Sequence, residues 1–141
     1  MALPISRVLP MVGTMNALIY AIPGVGETLV RAVSSATGKL MFRLPLLGGT
    51  PAQHVGNVHD QWLRFLGLMG IRSRTVTRQD GQFVMTVDAC PYGFEHADQE
   101  GMCDACMDLD RAYVQAMGAR FEIEERIPDG AHQCRFRISF P

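Results

Sequence analysis

The residues best equipped for chemistry are four cysteines, spaced Cys90-x12-Cys103-x2-Cys106-x27-Cys134. Cys103 and Cys106 stand at i and i+3, so a helix carrying both shows them on one face. Cys134 lies in QCRFRISF, whose apolar set is Cys134, Phe136, Ile138 and Phe140, which turns its thiol toward the core of any sheet built from that strand. Cys90 closes a strand-like run just before Pro91. Three chemistries fit. Four converging thiolates hold tetrahedral zinc or a [4Fe–4S] cluster, and both use Cys-x2-Cys knuckles. The Cys90-Pro91 step, and one knuckle where zinc ribbons usually have two, favour iron–sulfur over zinc. A Cys103/Cys106 dithiol would suit redox or nucleophilic work, but Glu95, Asp98, Glu100, Asp104, Asp108 and Asp110 surround it and hold thiols protonated. Free cysteines also pack as small apolar residues. The clustering favours metal, so Cys90, Cys103, Cys106 and Cys134 are expected to be its ligands.

Tyr92 and His96, inside the cysteine-rich loop, are the candidate catalytic residues. The phenol can give a proton to a bound molecule, and the imidazole can act as a base or replace a thiolate. Each has a plainer role as well, in packing for Tyr92 and as a solvated loop side chain for His96. His132 lies near Cys134 in the same way. His54 and His59 are five residues apart on a predicted helix, which points them about 140° from each other and rules out a chelating pair. Asp108 and Asp110 read first as acids of a helix surface.

The elements that must position these groups follow from periodicity. Thr50, Pro51 and Gln53 read as N-cap, first helical residue and capping-box partner, which predicts a helix from Pro51 with Val55, Val58, Trp62, Phe65, Leu66 and Met69 inward and Gly70 as its stop. IRSRTVTR, Asp80-Gly81 and QFVMTVDA predict a hairpin. A helix from near Gly101 to Met117 should carry the cysteine pair, and RFEIEERI, a PDGAH turn and QCRFRISF predict a second hairpin. The fold class is therefore α+β: an antiparallel sheet of about four strands from two hairpins, packed by helices, after a helical apolar N-terminal segment.

That segment divides the chain into residues 1–49, a lid, dimer contact or docking surface, and residues 50–141, the cysteine-rich α+β part. From Val8 to Gly26 there is no charge, a run that approaches the ~20 residues of a membrane span. Pro10, Pro23, Thr14 and Asn16 argue against spanning, and a buried or interface-forming helix is expected. Glu27 to Leu40 has helical spacing, with Gly38 and Pro45 limiting its length. With 141 residues, 48% of them hydrophobic, and a net charge of −1, the chain suits one ordinary core. Arg7, Arg31, Lys39 and Arg43 make the N-terminal part mildly basic, but four scattered cations without interleaved aromatics exclude a nucleic-acid stripe. Reduced thiols and no clear secretion signal point to the cytoplasm, with peripheral membrane contact as the variant.

CPYG, MCDACMDLDRAY and DGAHQCRFRI resemble the family of L-2-amino-thiazoline-4-carboxylate hydrolase-like proteins over roughly residues 50–140. They are more distantly similar to four-vinyl-reductase-type small-molecule-binding domains. The resemblance implies a compact α+β domain with the four cysteines at its site, and hydrolytic opening of a small sulfur- and nitrogen-containing ring. The expectation is a cysteine-ligated metalloprotein, iron–sulfur before zinc, that binds or hydrolyses such a molecule. The alternative is a non-enzymatic sensing or partner-binding module stapled by zinc. A homodimer, or a membrane-adjacent partner, is expected to use the N-terminal segment.

Overall fold

The computed structural model describes residues 5–141; the first four residues of the N-terminal segment lie outside that range. Three helices come first: α1 (Ile5–Tyr20), α2 (Gly26–Arg43) and α3 (Val55–Leu68). A hairpin of β1 (Arg74–Gln79) and β2 (Gln82–Val87) follows, then α4 (Glu100–Cys106), α5 (Asp108–Ala116), β3 (Arg120–Glu125) and β4 (Cys134–Ser139). The expected α+β class and four-stranded antiparallel sheet are both present, in the order β1-β2-β4-β3. Gly81 at φ 74 and Gly130 at φ 94 turn the two hairpins, a backbone region glycine enters without strain.

The inner sheet face presents Phe83, Met85 and Val87 from β2, Phe121 from β3, and Cys134, Phe136 and Ile138 from β4. Against it lies α3, with Val58, Trp62, Phe65 and Leu66 buried. The Phe65 and Tyr113 rings stack at 4.1 Å, which joins α3 to α5, and the Tyr113 hydroxyl donates to the Leu47 carbonyl at 2.6 Å. Leu9 of α1 and Val30 of α2 belong to the same core.

Several boundaries differ from the sequence expectation, each for a local reason. The third helix starts at Val55 and not at Pro51. Its N-cap is His54, whose Nδ1 accepts the Asn57 N–H at 3.3 Å. The Ala52 N–H is drawn away to the Met117 carbonyl at 2.9 Å, which ties the segment before the helix to the end of α5. The helix expected over Gly101–Met117 is interrupted at Met107. There the Asp104 carbonyl accepts Arg111 Nη1 at 2.9 Å, where an unbroken helix would offer it to the N–H of Asp108. Pro10 lies inside α1, and Pro23 falls in the turn before α2. Gly38 does not end α2: a Cβ there would fall on the Leu109 carbonyl oxygen, so this glycine lets α2 settle onto the backbone of α5.

Candidate functional site

Three of the four cysteines meet the same small chamber. Cys90 follows the end of β2, Cys103 projects from α4, and Cys134 opens β4. With Trp62, Tyr92, Met107, Asp110, Arg126 and Phe136 they line a cavity of about 40 Å³. That volume takes one or two water molecules. Trp62 also keeps its indole N–H buried with no protein acceptor.

Cys106 faces elsewhere. The helix that presents Cys103 to the chamber turns the Cys106 thiol toward α1, where Asn16 Nδ2 donates to its sulfur at 3.4 Å. Asn16 is brought there because α1 closes on the loop after β2: a Cβ on Gly13 would fall on the Tyr92 carbonyl oxygen. The i, i+3 spacing put both thiols on one side of the helix, but one side of a helix is wide enough to touch two neighbours.

The chemistry of the thiols follows from their burial. Loss of water, with the neighbouring Cys90 next, pushes Cys103 up to about 12. Burial pushes Cys106 up to about 11, against the hydrogen bond from Asn16, and raises Cys134 as well. Such thiols keep their protons at neutral pH and are poor nucleophiles. All four are free. The acids blamed for this in the sequence contribute less than desolvation does, because the most central of them is neutralised. Asp104 accepts Arg31 Nη2 at 2.9 Å, Arg111 Nη2 at 2.6 Å and Arg126 Nη1 at 3.2 Å. These partners hold its carboxyl below the usual range against the opposing effect of burial. The node ties α2, α4, α5 and the end of the β3 hairpin together, and it commits Arg126, also paired with Glu100 and Asp129, to structure.

Tyr92 and His96 stand in different settings. Tyr92 stacks on Phe94 at 5.9 Å. Its hydroxyl, removed from water and set near Asp110 and the thiols, is raised well above an ordinary phenol, so its proton stays. His96 is exposed and caps the short 3-10 turn Ala97–Gln99, where the Gln99 side chain accepts the backbone N–H of His96 at 3.0 Å. His132 is exposed and His54 is the cap of α3, while His59 is buried, with Nε2 2.9 Å from Thr75 Oγ1.

Sequence reasoning missed Asp110. It is not a surface acid but a buried one, and desolvation pushes its carboxyl up to about 7. The signal was available: Cys103, Cys106, Asp110, Tyr113 and Met117 recur at three- and four-residue steps, the inward stripe of a helix.

A second feature stands on the opposite side of the helical layer. The inward residues of α2 are Gly26, Val30, Ser34 and Gly38, three of them small. Its large apolar residues Leu29, Val33 and Leu40 point outward, as do Val8, Met11, Met15 and Leu18 of α1, with Ile22 and Val25 in the turn between. Met11 is 69% exposed and Leu18 71%. At about 100° per residue, Val8, Met11, Met15 and Leu18 fall within an arc of about 80°, a narrow stripe. An ordinary surface helix has the reverse arrangement. No helix among the described residues is long and apolar enough to cross a membrane.

No protein-family model and no curated protein matches the chain. Among solved structures it is similar to a trafficking protein particle complex subunit 3 from Naegleria fowleri, a structure in which that protein is covalently bound to palmitic acid. The likeness has a TM-score of 0.64 at 11% identity and covers 96% of this chain and 95% of that one. The two share a fold.

These findings overturn the cysteine-ligated metalloprotein. Among the described residues no group of three or more His, Cys, Asp or Glu side chains could hold a metal ion, and the solved structure of like fold is a trafficking-complex subunit. The iron–sulfur cluster and the zinc alternative relied on the cysteine thiolates meeting at one point, and the hydrolysis of a sulfur- and nitrogen-containing ring, implied by the family resemblance, falls with them. One sulfur faces α1, and burial holds Cys103 and Cys134 in their protonated form.

Proposed function

We propose that this protein is a non-catalytic assembly module, a subunit that works by seating another protein on the outer faces of α1 and α2. The observation that carries this reading is the inverted polarity of these helices. Three of the four inward residues of α2 are small, while Met11, Met15, Leu18, Leu29, Val33 and Leu40 face water. Covering one such side chain stabilises by about 1.5–3 kcal/mol, so a stripe of them is a reservoir of association free energy. The fold shared with a subunit of a multi-protein complex supports the same reading.

The chamber supports catalysis poorly, since Cys103, Cys134 and the Tyr92 phenol hold their protons and its arginine is committed to carboxylates. Nor does a cavity of about 40 Å³ have room for a long acyl chain, so the palmitic acid of the similar structure is not carried over to this protein.

Photo-methionine incorporated in living cells tests the reading. Activation at Met11 and Met15 is expected to give covalent adducts with polypeptide. Adducts with lipid or water alone would refute it.

A further inference from the structure

We infer that the occupant of the outer α1–α2 face is a second copy of this chain, in a two-fold symmetric dimer. This rests on the assembly reading above and names the partner.

The first argument is area. Nine large apolar side chains on this face, Val8 through Leu40, are each exposed by 36–71%, leaving apolar surface on the order of 800 Å², one partner's share of a standard interface. The largest apolar patch on a stable monomer is about 300–600 Å². The face is therefore sized for one protein partner of comparable extent.

The second argument is charge. A two-fold interface places the same patch against itself, so a patch bearing net charge at its centre repels its own copy. This stripe has none. No charged residue occurs between Val8 and Gly26. In α2, Arg31 is drawn off the face by Asp104 and Asp108, and Glu27 is satisfied by Arg31 at 3.0 Å. Arg7, Lys39 and Arg43 flank the stripe and do not interrupt it. An acidic partner would call for cations within the contact, and an anionic membrane would draw on more than three at its border.

The third argument is pattern. The steps from Val8 to Met11, Met15 and Leu18 are three, four and three residues, the spacing that interdigitates with a like helix, and Leu29, Val33, Ala36 and Leu40 keep a similarly narrow arc on α2. Aliphatic and thioether side chains fill the stripe. It has no tryptophan or phenylalanine of the kind that anchors helices at a lipid interface.

Sedimentation equilibrium of the full chain, beside L18E and V33E, tests the inference. Wild type is expected at twice the 15.6 kDa chain mass. Each variant is expected to weaken self-association at least 100-fold while keeping the helical circular dichroism and a cooperative thermal transition. A wild-type monomer throughout the micromolar range overturns the dimer, as does a dimer indifferent to both substitutions. If the wild type is monomeric and Met15 crosslinks to a different protein in cells, the dimer falls and the assembly reading stands. If the monomer floats with anionic phospholipid vesicles and crosslinks only to lipid, both fall.

Discussion

The Cα of Gly38 lies directly against the carbonyl oxygen of Leu109, with no room between them for a methyl group. This contact lets α2 approach α5 closely while its large side chains point away. Gly38→Ala should therefore destabilise the fold by about 1–3 kcal/mol, although alanine is favoured over glycine in an exposed helix by about 1 kcal/mol. Urea unfolding measures it, and a variant as stable as wild type would mean that α2 does not sit this close.

Asp110 gives stability a definite pH dependence. Its carboxyl titrates near 3.8 when unfolded and near 7 in the fold. Between those values the folded protein holds a proton that the unfolded chain has released, so stability falls as pH rises from about 4 to about 7 and then levels off. At about 1.4 kcal/mol per pH unit the loss is at most about 4 kcal/mol. Asp110→Asn should abolish this slope and be the more stable protein at pH 8. Chemical denaturation at a series of pH values decides it, and equal slopes in both proteins would show that Asp110 is not the source.

Protonated, buried thiols predict selective alkylation. At pH 8 iodoacetamide should modify Cys90, which is partly exposed, and leave Cys103, Cys106 and Cys134 intact until the protein is unfolded. Chelators should leave the melting temperature unchanged. Fast labelling of Cys103 in the native protein, or a melting temperature that drops on chelation, would restore a thiolate site.

How much of this was legible in the sequence depends on whether the cause was local. Both hairpins, the inward Cys134 and the stop at Gly70 follow from alternation and glycine placement, which are properties of short stretches. The start of α3 was displaced because Met117, far along the chain, takes the Ala52 N–H. Cys103 and Cys106 were placed correctly on a helix, but spacing cannot say that one meets the chamber and the other meets Asn16. Asp110 was misread because an acid was assumed to face water, although its helical stripe placed it inside. The outward stripe of α1 was visible as uncharged sequence, and that of α2 only as helical spacing of Leu29, Val33 and Leu40. That it faces water depends on Gly13 and Gly38 meeting carbonyl oxygens of distant residues, which no local pattern reveals.

The flanking cations make a prediction about salt. In a symmetric dimer Arg7, Lys39 and Arg43 of the two copies are like charges near one rim, and screening relieves their repulsion. Self-association should thus hold or tighten between low salt and 0.5 M sodium chloride, by about threefold or less. Concentration-dependent sedimentation measures this, and a marked weakening would show that the contact pairs opposite charges between the copies.

The account depends most on whether the outer α1–α2 face is out of water in the working protein. Pulsed oxidation of intact cells, with sulfoxide formation followed by mass spectrometry, reads that directly. Met11 and Met15, 69% and 52% exposed in the single chain, should oxidise as slowly as the buried Met117. Oxidation of both at the rate of free methionine would contradict the account.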